Sequence, residues 1–418
     1  MPLKYNPFKP NSIVHSAMFV GRLDEVRAIE KCLFQTKYGN PQHFLVLGER
    51  GIGKSSLLFY VNAIADGRIS LPSKDRFHFL TLSIDLSGCQ TQLEIIGRIA
   101  RGLRTEISSR RALQETAKAF WEWLSNWEVA GIHFHKSSTL PDPEIAAEDL
   151  SVNIAAFCSQ CEDIDGIVIL IDEADGPDVE ANLGALLKLL TERLTRRQCD
   201  KVVLGLAGLP PLLAKLRESH ESSPRLFQTV LLEPLDMDER MRAVKLGIED
   251  ANEKNEVQTT ITDDALEFLA QLSEGYPHFV QQFSFSAFEH DIDDIIDLED
   301  VGDGAFRKGG ALSQLGDKFF NEMYHARIAS ADYRRVLDAM AEHGDEWVAR
   351  KTIINESGVS EANVGNALIT LKARNIILQD DTRRGFYKLP TNSFAAWINA
   401  VRAARAKSDV EGKDAFTG

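Results

Sequence analysis

No apolar run in this 418-residue chain reaches the roughly 18 residues that a membrane-spanning helix requires. The N-terminus, with Lys4, Pro7 and Pro10, has no signal-peptide core, so a cytoplasmic protein is expected, with no membrane partner. Positive charge is in deficit: 47 Lys and Arg face 62 Asp and Glu, a formal charge of −15. A field of that sign repels polyphosphate and argues against general coating of nucleic acid; any DNA contact has to be local. The deficit is uneven, because residues 331–418 hold 13 basic against 12 acidic side chains and are nearly neutral. Cysteine is scarce and odd in number: Cys32, Cys89, Cys158, Cys161 and Cys199 are scattered as expected where thiols stay reduced. The pair Cys158-x-x-Cys161 lacks a second Cys or His pair at zinc spacing and runs into a buried strand, so it reads as two semi-buried thiols on a helix. Internal repeats and low-complexity segments are absent.

What is present is enough apolar residue, 44%, for several cores, and a length that suits two or three domains. Residues 1–18 read as an extended arm. From 19 to 235 short continuous apolar runs alternate with helical patterns. Strands are expected at His43–Leu47, Phe77–Leu86, Gly166–Ile171, Val202–Leu206 and Thr229–Leu232. Helices are expected at Arg22–Phe34, Ser55–Ala65, Glu94–Phe120, 145–162, Leu183–Leu190 and Pro211–Arg217, with a loop-rich region from Trp127 to Pro143. That alternation predicts an α/β fold with a parallel sheet covered by helices on both faces. Residues 236–328 are helical without good strands and include an acidic stretch from Asp291 to Asp303. Three short helices (Tyr333–Ala341, Lys351–Ser357, Glu361–Arg374) and a hairpin over Ile376–Leu389 make residues 329–405 a winged helix-turn-helix, followed by a tail, 406–418.

One motif carries chemistry outright. Gly48-Glu49-Arg50-Gly51-Ile52-Gly53-Lys54-Ser55 matches G-x-x-x-x-G-K-[ST] and lies between a strand and a helix, where Ser56 continues the helix. The glycines let backbone N–H groups and the helix N-terminus face phosphate. Lys54 is placed to reach the β- and γ-phosphates, and Ser55 to ligate Mg²⁺. A second buried strand ends in Asp172 and Glu173, the former suited to the metal and the latter to activating water. Asp175 reads as a helix cap. The Asn-Lys-x-Asp element that reads guanine is missing, which favours ATP.

Phe19-Val20-Gly21-Arg22, Leu23-Asp24-Glu25, the phosphate loop and Ile171-Asp172-Glu173-Ala174-Asp175 together resemble the AAA+ and STAND-type P-loop ATPases, especially the Orc1/Cdc6-like group with a C-terminal winged helix. The resemblance implies a P-loop NTPase sheet, a helical lid and a winged helix in that order. It implies that Val20, Gly21 and Arg22 lie beside adenine. It also implies that Pro277 and His278, in Gly275-Tyr276-Pro277-His278, lie against the nucleotide, and that Arg225 serves as an arginine finger towards a neighbouring copy in an ATP-dependent homo-oligomer. The family's sensor-1 strand ends in a polar side chain, whereas here Ala207, Gly208 and Leu209 supply none.

Two functions are expected from this pattern. One is an ATP-binding, slowly hydrolysing switch that couples nucleotide state to assembly or recruitment of a protein partner. The other is a DNA-bound ATPase of the initiator or transposition-helper type, using Lys372, Arg374, Arg383, Arg384 and Lys388 of the third helix and wing on duplex DNA. Charge favours the first and the basic wing the second.

Overall fold

The computed structural model describes residues 4–10, 12, 20–69, 76–124, 142–316, 320, 321, 324, 328, 330–374, 376–380 and 382–402. Phe19, most of the Trp127–Pro143 loop, Asp381 and the 406–418 tail lie outside the described residues. The chain divides into two compact units, Ser12–Pro234 and Met1–Asn11 with Leu235–Gly418.

In the first unit α1 (Leu23–Lys37) leads into β1 (His43–Leu47), and the phosphate loop joins β1 to α2 (Lys54–Ala65). After β2 (Phe79–Asp85) come α3 (Gln92–Ser108), α4 (Arg111–Thr116) and α5 (Pro143–Gln160). Then β3 (Gly166–Asp172), α6 (Leu183–Arg196), β4 (Val202–Gly208), α7 (Leu212–Ser219) and β5 (Phe227–Leu231) complete it. The five strands pair in the order β2-β3-β4-β1-β5, all parallel. β1 and β4 are buried at every residue, as expected of strands covered on both sides. Alternation divides the core: Leu45, Leu82, Ile169 and Leu204 pack on one face with Ile99, Ile154 and Leu187. Each such fully buried Leu or Ile stabilises the sheet by roughly 1.5–3 kcal/mol relative to exposure.

The single long helix expected over Glu94–Phe120 is broken at Ser109 and Arg110. Ser108 and Ser109 turn their hydroxyls back to the carbonyls of Thr105 and Glu106, both at 2.7 Å, so the side chains compete for backbone groups where the helix ends.

In the second unit α8 (Met237–Lys254) opens on a capping box of Asp236 and Glu239. It is followed by β6 (Thr260–Ile261), α9 (Asp263–Leu272), α10 (Pro277–His290), β7 (Ile295–Ile296), α11 (Leu298–Phe306) and α12 (Ala311–Leu315). The short parallel ribbon of β6 and β7 departs from the strandless reading of this region. Two residues per strand leave no apolar run to read. The arm residues pack on these helices without regular structure of their own. Lys4 Nζ lies 3.0 Å from Asp291 and 2.5 Å from Asp294, the Tyr5 N–H donates to Asn255 at 2.8 Å, and Phe8 is buried beside Phe288.

The same unit continues with α13 (Ala331–Ala341), β8 (Val348–Ala349), α14 (Arg350–Ser357), α15 (Glu361–Ala373), β9 (Leu378–Gln379) and β10 (Phe386–Lys388). β10 pairs antiparallel with both β8 and β9. A helix over 392–402, not read from the sequence, takes its N-terminal cap from Glu274, whose carboxylate accepts the Asn392 and Ser393 N–H groups at 2.6 Å each. Phe394 and Trp397 of that helix pack on Phe320. No helix of the described residues is long and apolar enough to cross a membrane.

Candidate functional site

The phosphate loop leaves β1 at the sheet edge where all five strands end in the C-terminal sense, the edge at which parallel α/β sheets bind ligands. Gly53 stands at φ 101° immediately before α2, a left-handed conformation that a side chain would strain. The first N–H groups of α2 have no acceptor within the helix and are the groups that would meet a phosphate there. Lys54 Nζ donates to the carbonyls of Gly48 and Glu49, both at 2.9 Å. Burial pushes the Lys54 ammonium down from its ordinary range, and the charges of Asp175, Asp172 and Glu49 oppose that, in falling order. Ser55 is exposed in the first turn of α2, while Ser56 is half-buried. Glu49 and Arg50 are exposed at the rim of the loop, and Ile52 anchors it in the core.

Arg22 is buried. Its guanidinium donates to the carbonyls of Ile52, at 3.3 Å, and Glu233, at 2.7 Å, which ties the start of α1 to the phosphate loop and to the end of the unit. Val20 and Gly21 precede it half-exposed.

Between β1 and β3 lies β4, so the loop and Asp172 are separated by one strand at the same edge. Asp172 Oδ1 accepts the Glu173 N–H at 2.9 Å. The hydroxyl of Ser55 and the carboxylate of Asp172 are oxygen donors of the kind that would suit a hard cation such as Mg²⁺. Glu173 sits at φ 46°, a left-handed backbone costing about 1–2 kcal/mol for a residue with a side chain. Its carboxylate accepts the Ser87 hydroxyl at 2.6 Å. Ser87 follows β2 and is fixed in turn: its N–H donates to Asp85 Oδ1 at 2.5 Å, and Arg98 of α3 donates to the carbonyls of Asp85 and Ser87. Neither Ser87 nor Arg98 belongs to a contiguous motif. The one signal was a polar residue just past a strand that the topology places beside β3.

Asp175 does not cap a helix. No regular helix begins at it, and its Oδ1 accepts the Leu209 N–H at 3.0 Å, joining the turn after β3 to the end of β4. Lys215 of α7 steadies the same turn by donating to the carbonyls of Asp175, at 2.6 Å, and Pro177, at 3.3 Å. Arg225 is exposed in a 3-10 turn, Ser223–Leu226, directly before β5. Pro277 and His278 open α10 in the second unit and are half-buried there. Cys158 and Cys161 are both buried, and no group of three or more potential metal-binding side chains gathers among the described residues.

With this geometry in hand, the relatives are informative. Residues 18–204 match the family of the AAA ATPase domain, AAA_16. An uncharacterized HTH-type transcriptional regulator of Methanocaldococcus jannaschii is 23% identical over 370 residues, covering 82% of this chain and 80% of its own. Among solved structures, the Walker-type ATPase of Pyrococcus abyssi superposes with a TM-score of 0.61 at 18% identity, over 94% of this chain and 99% of that one. The Aeropyrum pernix ORC2 protein, in complexes with ADPNP and ADP, gives 0.60 at 12% identity over 97% and 99%. These likenesses carry the fold, and the family match covers the loop, β2 and β3 together. Residues 18–204 are therefore similar to the AAA ATPase domain family, and the chain has a P-loop NTPase fold.

Proposed function

We propose that the chain binds ATP with Mg²⁺ and hydrolyses it slowly to ADP and phosphate, as a switch whose nucleotide state governs assembly or recruitment of a protein partner. The observation that carries this reading is the hydrogen bond between Ser87 and Glu173. The carboxylate suited to activate water is in place at the end of β3, yet engaged by a neighbouring hydroxyl, so turnover waits on its release. Lys54 and the loop amides would hold the β- and γ-phosphates, Ser55 and Asp172 the metal, and Arg225 the transition-state charge on a neighbouring copy. The metal would neutralise charge developing on the phosphate oxygens. Adenine nucleotides in the Aeropyrum protein and the Walker-type name of the Pyrococcus protein support ATP as the ligand.

Lys54→Ala should abolish or greatly weaken ATP binding, and Glu173→Gln should bind ATP without turning it over. The switch itself is tested by mass in solution with and without a non-hydrolysable ATP analogue, repeated with DNA. An unchanged mass and unchanged partner retention across nucleotide states would sink it.

A second reading, a DNA-bound ATPase of the initiator or transposition-helper type, draws on residues 331–402. The three helices and three-stranded sheet of residues 331–388 have the order of a winged helix, and the Methanocaldococcus relative carries an HTH name. The exposed helix α15 favours a protein partner instead, because Ile369 at its centre is 70% exposed.

A further inference from the structure

The end of β4 lacks the polar side chain that would face a γ-phosphate, and the geometry explains why. A Cβ on Gly208 would lie 2.7 Å from Asp175 Oδ1 and 2.6 Å from Leu212 Cδ2, so a side chain at 208 and the carboxylate compete for one space. The carboxylate holds it, accepting the Leu209 N–H at 3.0 Å, while Lys215 fixes the Asp175 carbonyl from the other side at 2.6 Å. Asp175 is thus clamped through both its side chain and its main chain at the same sheet edge as Lys54.

We propose that Asp175 takes the place of the missing polar side chain on β4, where the Gly208 carbonyl accepts the Gly48 N–H of the phosphate loop at 3.3 Å, and as a fixed negative charge there discriminates between nucleoside triphosphate and diphosphate. This inference rests on the ATP-binding reading of the site. A carboxylate held rigidly by a backbone N–H cannot turn away when the γ-phosphate arrives, and it penalises the additional charge. The diphosphate escapes that penalty. Asp175 is a positioning residue: it also sets the spacing between the turn carrying Glu173 and the end of β4.

The test is equilibrium binding of a non-hydrolysable ATP analogue and of ADP, each with Mg²⁺, to the full chain and to two variants. Asp175→Asn keeps an oxygen acceptor for Leu209 and removes only the charge. It should tighten the analogue relative to ADP by about fivefold, the effect of one unit charge several ångströms away in a half-solvated site. Gly208→Ala, whose Cβ displaces the carboxylate, should shift the ratio in the same direction. A structural brace alone would lower stability in both variants without moving the ratio. Binding with a ratio unchanged within about twofold in Asp175→Asn overturns this inference alone. No binding of either nucleotide to the unsubstituted chain overturns the ATP reading together with it.

Discussion

Ser87 Oγ donates to Glu173 Oε2 at 2.6 Å, across the gap between the ends of β2 and β3, two strands that run side by side through seven paired residues. The bond links a residue without chemistry of its own to the carboxylate proposed to activate water. Glu173 enters it from a left-handed backbone, φ 46°, so the turn after β3 helps set its direction.

Releasing that bond should therefore raise basal turnover. A hydrogen bond to a charged group is worth about 1.5–3 kcal/mol, so Ser87→Ala should accelerate phosphate release by about tenfold to a hundredfold while leaving ATP affinity unchanged. Steady-state phosphate release with a parallel binding titration reads both quantities. A fall in turnover at constant affinity would mean that Ser87 aims Glu173 productively and would reverse its role. Arg98→Ala, which frees the carbonyls of Asp85 and Ser87, should change turnover in the same direction by less.

Arg225 gives a prediction of a different kind. Its side chain is exposed in the 3-10 turn before β5, where it has access to a neighbouring molecule. If it acts across subunits, Arg225→Ala should remove most hydrolysis at high protein concentration without weakening ATP binding. Mixing this variant with Lys54→Ala, which lacks a working phosphate loop but retains Arg225, should restore part of the activity. Unchanged turnover in the variant at high concentration leaves Arg225 as a charge at the end of a turn.

Those sites differ in how far the sequence revealed them. The phosphate loop was legible because its eight residues are contiguous and their chemistry depends on their own backbone. Asp172 and Glu173 were legible because an apolar run as long as Ile167–Ile171 has to be a buried strand, whose polar end then stands out. Ser87, Arg98 and Lys215 were not, since each acts by reaching another element across the sheet edge. Asp175 was misread for the same reason: an acid after a strand suits a helix N-terminus equally well, and only the register of β3 against β4 decides. The break after Ser108 escaped because the helical periodicity of Ile95, Ile99 and Leu103 carries no mark of where serine hydroxyls begin to compete.

His43 supplies a pH prediction for the first unit. It is buried at the start of β1, where its Nδ1 accepts the Leu204 N–H at 3.1 Å, and burial lowers its pKa from 6.5 to about 4. The unfolded chain therefore takes up this proton first as pH falls. The stability that neutral His43 contributes is fully present above about pH 6.5 and is lost progressively down to about pH 4, to a total of about 3 kcal/mol. His43→Gln, which retains an acceptor and does not titrate, should lose less stability than the unsubstituted chain across that window. Hydrogen exchange of the β1 and β4 amides between pH 7 and 4.5 isolates the effect. Parallel pH profiles for the two proteins would refute it.

The last prediction separates the two partners open to residues 331–402. Several cations that a DNA reading requires are already engaged. Lys372 donates to Gln379 at 2.7 Å, Arg383 pairs with Asp380 at 2.6 Å, and Lys388 lies over the Trp347 ring at 5.3 Å. Along α15, Asn363 donates to Asp332 at 2.7 Å, and the outward centre of the helix is Ile369. Phosphate recognition would have to break these pairs, whereas an apolar partner would use Ile369 as it stands. At about 150 mM salt a mixed-sequence duplex should therefore bind no more tightly than the micromolar-to-weaker range of non-specific contacts, and Lys372→Glu with Arg384→Glu should change little. Ile369→Asp, by contrast, should reduce nucleotide-dependent retention of a protein partner while leaving ATP binding by the first unit intact. Tight duplex binding that weakens steeply with salt and disappears in the Lys372→Glu, Arg384→Glu double variant would decide for the DNA-bound ATPase, because only released counterions produce that slope.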